Sequence, residues 1–505
     1  MPRLTLLAVP VFVLVLVVIL MGCAGRLRDE PAAPAGDGGW NRLRTDHFDL
    51  TTDLSANLAL ATATVLERTR AALLQAAWSR LGNARQTERV RVIVLASEWE
   101  FQRYFGRTVD GVYTRVGSAT IVLGGTPSHW ERRLKQTDVF ATSTLRHEIA
   151  HHLAAGIYGR QPRWFSEGLA QFLETITIDD DGTRAIVGHP NLVALRRYYS
   201  VRSVGVKDAL AWGRPDAAED EAKVDGLYGL SWLMVHWMFN TQPEAFAAFQ
   251  LALSRGDESA WAHSFGTQSL DDVDRALHAY VQHGDYQVHP FLLPPLVAEA
   301  TPVSLDAADV HALRGQLALV GANLDKARRD LAEEAEGEVG AALALEPGHV
   351  LALKLTRKSI PITELLARLR KQTLARPDDG EAWLLMSRLL PSTEREAALR
   401  KAVALLPGDS SAYNYLAWYL VGAGRSAEAL PLATKAALLA PWDPGVLDTY
   451  AACLFALNRC ADAARIEARA VEHLPEKMTP EGRRDYTSKL ARYRDSCTAD
   501  VGAPR

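Results

Sequence analysis

The chain has 505 residues, a formal charge of −4, 48% hydrophobic and 23% charged residues. One hydrophobic core does not serve that length, so two or three domains are expected. The slightly acidic balance excludes an electrostatic case for nucleic-acid binding, and the composition is that of ordinary globular protein.

At the N-terminus Arg3 precedes an apolar run from Leu4 to Met21, followed by Gly22-Cys23-Ala24-Gly25. A basic start, an apolar core and a small-residue cleavage site read as an export signal over residues 1–22. The end of that run, Leu20-Met21-Gly22-Cys23, resembles a bacterial lipobox, which implies cleavage before Cys23 and its lipidation. The competing reading is an uncleaved membrane anchor, because 18 apolar residues approach the span of a bilayer. Ala24 in place of Asp suits sorting to the outer membrane. Either way the bulk of the chain is expected at the cell envelope, on the periplasmic face of a membrane outside the cytoplasm. Residues 23–39, rich in Pro, Gly, Ala and charge, read as a flexible tether.

Structure is expected from Trp40. Residues 47–51 read as a strand, 54–81 as one long helix, and 90–95 (VRVIVL) as a strand buried on both faces. A short helix is expected over 98–105, then two strand pieces within 112–125. The segment 139–145 is mostly apolar or small and leads into the stretch around which the chain is organised, LRHEIAHHLAAGIYGRQPRWFSEGLAQFLE (145–174). His147 and His151 stand four apart in an H-E-x-x-H, on one face of a helix, so both imidazoles can bind one Zn²⁺. Glu148 follows the first of them and is placed to act as general base in metal-assisted hydrolysis. Gly156 and the run Gly159-Arg160-Gln161-Pro162 break the helix. A second helix then carries Glu167, 15 residues beyond His151, with room for an antiparallel return. Three protein ligands with a position left for water make a catalytic type of zinc site.

HEIAH followed by W-F-S-E-G-L-A-Q-F resembles the gluzincin metallopeptidases, in particular the peptidase-MA-like branch with an EGLA segment. The resemblance covers roughly residues 40–295 and implies a zincin-like α+β domain. It also implies zinc ligands at His147, His151 and Glu167, with Glu148 as base and a peptide or protein as substrate. Many gluzincins carry an acidic residue or Asn one turn after the third ligand. Here that position is Gln171, and Glu174 reads either as a partner of a ligand or as a solvated helix end. In gluzincins an edge strand binds extended substrate, and Ala119 to Leu123 is the candidate for it or for an ordinary strand. The ExxAD segment of larger relatives is missing. His152 is turned about 100° from His151 and is not a ligand. His189, His236, His263 and His278 are expected in surface or capping roles, and Arg146 in a salt bridge or solvent.

Beyond the site, Ile176 to Gly188 reads as a hairpin around Asp181-Gly182, residues 214–226 as a polar loop, and Leu227 to Trp237 as an apolar helix. In the related peptidases a Tyr at the start of such a helix faces the metal and can hydrogen-bond an oxyanion, which makes Tyr228 a second catalytic candidate beside a plain core reading.

Pro290, Pro294 and Pro295 mark a boundary, and residues 296–505 change character. Pro407, Pro441 and Pro475 recur every 34 residues, and Pro347 and Pro377 extend the series at intervals of 30. Ala417 matches Ala451, Ala429 matches Ala463 and Ala436 matches Ala470. The pattern resembles the tetratricopeptide repeat, an all-α solenoid of helix pairs, and implies a protein partner on the repeats. Cys460 is expected to pair with Cys497 in an oxidising compartment, with Cys453 a buried apolar residue. Two functions fit: a membrane-tethered zinc peptidase whose repeats recruit substrate, and a non-catalytic envelope scaffold that binds through the repeats.

Overall fold

The computed structural model describes residues 39–501, except 80–87, 107–110, 117, 126–130, 133–141, 159–160, 202, 214–219, 258, 285, 326, 357–358 and 476–477. The export signal, Cys23 and the tether lie outside the described residues. Among the described residues no helix is long and apolar enough to cross a membrane.

The chain opens with an antiparallel hairpin, β1 (Asn41–Arg44) and β2 (Phe48–Thr52), then a long helix α1 (Ala56–Trp78). Strand β3 (Val90–Leu95) returns parallel to β2. Helix α2 (Glu98–Phe105) leads to the hairpin β4 (Gly111–Val116) and β5 (Ser118–Gly124), with β5 parallel to β3. A two-residue pair, β6 (Glu131–Arg132) with β7 (Thr142–Ser143), precedes α3 (Thr144–Ile157) and α4 (Arg163–Leu173). Then come β8 (Thr177–Ile178), β9 (Arg184–Val187), α5 (Leu192–Ser200), α6 (Val206–Leu210), α7 (Glu221–Thr241), α8 (Pro243–Ser254), α9 (Ala260–Phe265) and α10 (Leu270–His283). Strand β10 (His289–Leu292) pairs with β9, and β11 (Val303–Ser304) pairs with β1. The main sheet is mixed and runs β11-β1-β2-β3-β5-β4.

Alternation along β3 explains why this sheet is covered twice. Val90, Val92 and Val94 join one core with α1, α3 and α4, while Ile93 and Leu95 join another with Phe101 and Tyr104 of α2. The candidate substrate strand, Ala119 to Leu123, falls in β5, which is interior between β3 and β4. That assignment is corrected. Val116 pairs with Ser118, so the chain folds straight back and β4 covers the open side of β5. The outer strand next to α3 is β4. Its Gly111 lies so close to α3 that an added Cβ would meet Thr144 Cγ2 at 3.0 Å. The apolar helix begins at Glu221, six residues ahead of Leu227, because Asp220 caps it by accepting from the Ala222 N–H at 3.1 Å.

The rest is helical: α11 (Ala307–Leu324), α12 (Arg329–Leu345), α13 (Val350–Thr356), α14 (Ile362–Ala375), α15 (Gly380–Ser387), α16 (Ser392–Leu405), α17 (Ser410–Gly422), α18 (Ser426–Leu439), α19 (Pro444–Ala456), α20 (Cys460–Glu472) and a closing α21 (Pro480–Val501). These form tetratricopeptide-like pairs. Pro377, Pro407 and Pro441 are each followed two residues later by a helix cap. Asp379, Asp409 and Asp443 accept from Ala382, Ala412 and Val446 N–H at 2.9, 2.8 and 3.1 Å. After Pro347, His349 takes that role, its Nδ1 accepting from Ala352 N–H at 3.3 Å and its Nε2 bonding Asp309 at 3.0 Å. The six alanines in register are all fully buried, so the helices approach closely. Cys453 is free and buried, and Cys460 is disulfide-bonded. The side chain of Cys497, its expected partner, lies outside the described residues.

The two regions share surfaces. Leu313 and Leu317 of α11 complete the core on the second face of the sheet. At the other end Trp442 meets His152 of α3 edge-on at 4.8 Å and packs on Ala155. Glu88, ahead of β3, donates its backbone N–H to Leu439 O at 3.1 Å and accepts from the Ser410 N–H through its carboxylate.

Candidate metal centre

Helix α3 starts where Ser143 Oγ accepts from the Arg146 N–H, and it ends in Tyr158, whose hydroxyl accepts from Trp78 Nε1 at 2.8 Å. Ile149 and Leu153 hold it in the core of the first sheet face. Helix α4 begins after Pro162 and buries Trp164, Phe165, Leu169, Phe172 and Leu173, which leaves Ser166 and Glu167 on its other side. Trp164 stacks on Phe249 at 5.8 Å and Phe165 meets it edge-on at 5.1 Å. Gly168 lets α7 lie against this helix: a Cβ there would stand 2.3 Å from Ser231 O. The glycine after Glu167 therefore serves the close crossing of two backbones.

That packing brings three of the sequence-derived residues together. His147, His151 and Glu167 each offer a ligand atom, and these atoms lie within 4.8 Å of one another. The two Nε2 atoms are 3.0 Å apart, and Glu167 Oε2 is 3.9 Å from His147 Nε2 and 3.6 Å from His151 Nε2. Ligand bonds of about 2.0–2.2 Å span donor pairs up to about 4.3 Å apart, so one ion can reach all three. Glu167 Oε2 is buried and has no hydrogen-bond partner among the described residues. An orphaned carboxylate oxygen facing two imidazoles fits a cation. Burial alone would raise Glu167, but His151, then His147 and Arg163, hold it below the usual carboxylate range.

The remaining ring nitrogens are fixed from behind. His147 Nδ1 donates to Glu174 Oε2 at 2.7 Å, and His151 Nδ1 lies 3.1 Å from Ser166 Oγ. A carboxylate only accepts, so His147 holds a proton on Nδ1, and an ion bound at the cluster would take the Nε2 lone pair in place of a second proton. Burial opposes charge on His147, yet Glu174, then Glu148 and Glu167, push it up to about 9. Glu174 is no solvated helix end. It is buried, and Asn191 Nδ2 donates to its Oε1 at 2.7 Å. Seven residues make about two helical turns, which puts Glu174 and Glu167 on one side of α4. The sequence signal was that i, i+7 spacing. Gln171, by contrast, is buried and gives Asn191 only its backbone oxygen, at 3.3 Å.

Glu148 is buried beside His147, at 4% exposure. Tyr228, half-buried two turns into α7, is pushed up to about 12, first by the negative charge of Glu167 and then by burial. Its phenol therefore stays a neutral donor near Glu167. Its ring meets Trp212 edge-on at 5.1 Å, and Arg163, which lies 4.1 Å over Trp212, bonds the hydroxyl. Arg163 and Ser166 were not singled out in the sequence. Of the other residues, Arg146 is buried rather than solvated, and His152 is buried outside the cluster. His236 is fully buried, bonding Tyr280 Oη at 2.8 Å and Gly188 O at 3.0 Å, and burial pushes it down to about 4. It joins α7, α10 and the β9 hairpin and is no surface group.

A family model described as "Protein of unknown function (DUF1570)" matches residues 141–257, the span that holds His147, Glu148, His151, Glu167, Glu174 and Tyr228. No curated protein matches the chain. Among solved structures, MamA matches over 33% of this chain and 91% of its own, at 15% identity and a TM-score of 0.25. A thermophilic TPR protein of Thermus thermophilus, TTC0263, matches over 37% and 99% at 14% identity and 0.28. Yeast Tom70 matches over 73% and 67% at 13% identity and 0.31. Scores this low carry no argument, and the repeat assignment rests on the helix pairs and their spacing.

Proposed function

We propose that the chain is a protein-binding helical-repeat protein whose mixed-sheet domain is a zinc-dependent peptidase of the gluzincin kind, tethered at the cell envelope through Cys23. The observation that carries the peptidase reading is the meeting of His147, His151 and Glu167 beside buried Glu148. Two imidazoles and one carboxylate, with no thiolate, suit zinc in a site of catalytic type. A divalent ion held there supplies Lewis acidity toward a carbonyl and toward water. The chain's own residues supply the rest. Glu148 takes the proton from the attacking water and hands it to the leaving amine. Glu174 fixes the tautomer and tilt of His147. The neutral Tyr228 hydroxyl donates to the oxyanion of the tetrahedral intermediate. The strand β4, outermost in the sheet among the described residues, offers its backbone edge to an extended peptide.

A second reading has its own support. The helix pairs pack directly on the sheet and on the back of α3, which suits a scaffold whose mixed-sheet domain is a platform without turnover. One experiment separates the two. Zinc content is measured for the purified protein and for His147→Ala, and cleavage of a denatured protein pool is compared with Glu148→Gln. The peptidase reading expects zinc in wild type alone and cleavage lost in Glu148→Gln. Equal cleavage by both proteins assigns the chain to the scaffold class.

A further inference from the structure

A second concavity opens where α3 ends. The last residues of α3, the end of α8 and helices α18 to α21 enclose a cavity of about 770 Å³. Four guanidinium groups line it, Arg255, Arg465, Arg469 and Arg494, against one carboxylate, Glu472. In a chain of formal charge −4 this is a local reversal of sign. Two of the four have partners of their own: Arg465 pairs with Asp462 at 3.0 Å, and Arg469 donates to Pro441 O at 3.2 Å. Arg255 and Arg494 are exposed. Between them lies an apolar wall that includes Tyr450 and Ile466.

We infer that this cavity binds an extended peptide segment rich in Asp and Glu, carried by a partner or substrate of the chain. Guanidinium groups match carboxylates in a two-pronged geometry. Here they come from the end of α8, from α20 and from α21, so they face a ligand along its length and not at one point, as a single phosphate would require. The volume lies within the range of small-ligand sites and holds a short segment. Gly156 is five residues beyond His151, about 7–8 Å along the helix axis, so a chain anchored there is held close to the histidine pair. The inference rests on the reading of the repeats as protein-binding and is independent of metal.

The test uses the full-length protein carrying Glu148→Gln, so that binding is read without cleavage. A fluorescent decapeptide of alternating Glu and Ala is titrated by anisotropy beside its Gln–Ala counterpart. The acidic peptide is expected to bind at least tenfold more tightly. The double variant R255E/R494E, at two exposed positions, is expected to lose tenfold or more of that affinity with an unchanged melting temperature, and to gain affinity for a Lys–Ala peptide. Equal binding of acidic and neutral peptides overturns the inference. So does acidic-peptide binding that the double variant leaves intact, or displacement of the peptide by millimolar inorganic phosphate. Cleavage by wild type is assayed separately: binding without cleavage keeps this inference and removes the peptidase reading, and cleavage without binding does the reverse.

Discussion

Replacing Glu174 by Gln tests the candidate metal centre at the point the sequence left open. The substitution keeps size and removes a charge. It also reverses a hydrogen bond. In the protein His147 Nδ1 donates to Glu174 Oε2 at 2.7 Å, while Asn191 donates to Oε1 at 2.7 Å. A glutamine has one acceptor oxygen for these two donors. If Asn191 keeps it, the amide N–H₂ faces Nδ1, and the ring must move its proton to Nε2, the nitrogen needed by the ion. A hydrogen bond to a charged group is worth about 1.5–3 kcal/mol, which is about 10- to 100-fold in affinity. Losses of that size are typical when the residue behind a histidine ligand is removed. Zinc affinity measured by competition with a chromophoric chelator at pH 7.5 should therefore fall by about 10- to 100-fold. Glu174→Asp, which keeps the acceptor but shortens the reach, should fall between the two. A Glu174→Gln protein that binds zinc within twofold of wild type would refute the tautomer argument.

Gly168→Ala should destabilise the protein by about 1–3 kcal/mol in thermal unfolding, because the new methyl meets the Ser231 backbone at 2.3 Å and backbone does not give way; an unchanged melting temperature would contradict the close crossing of α4 and α7. Trp442→Ala should cost about 3–5 kcal/mol and speed proteolysis in the repeats, since it removes the ring packed on His152 and Ala155. Glu88 gives a pH signature. Burial raises its carboxyl from 4.5 to about 7 in the folded chain, so the folded state favours the protonated form. Its contribution is greatest below pH 4.5 and is lost as pH rises to about 7, by up to about 3 kcal/mol. In chemical denaturation Glu88→Gln should flatten that decline, and an unaltered pH profile would count against it.

Much of this was legible in the residues. The run VRVIVL announced a strand with two buried faces, and the spacing of His147, His151 and Glu167 announced residues that the fold does bring together. What was not legible depended on partners distant in the chain. Glu174 looked like a helix end until Asn191, 17 residues on, was seen to cover it. Ala119 to Leu123 proved the ordinary strand and not the edge, because resemblance and position along the chain do not say which member of a hairpin faces out. His236 carries no pattern of its own, and its burial is set by Tyr280 and Gly188. The caps two residues after the prolines are a local signal, since an Asp ahead of a helix accepts from its first free N–H groups.

The strand Val303–Ser304 and the helix Ala307–Leu324 belong to the sheet on one side and to the helical array on the other. Joined in this way, the two regions share packed surface at the waist rather than a bare linker. Whatever docks on the helical array is held at a set distance and angle from the histidine pair, so the array works as a ruler and not as a leash. Inserting one more helix pair far from the waist would lengthen the reach without disturbing the sheet, whereas inserting one beside Ala307 would remove the floor under half of it.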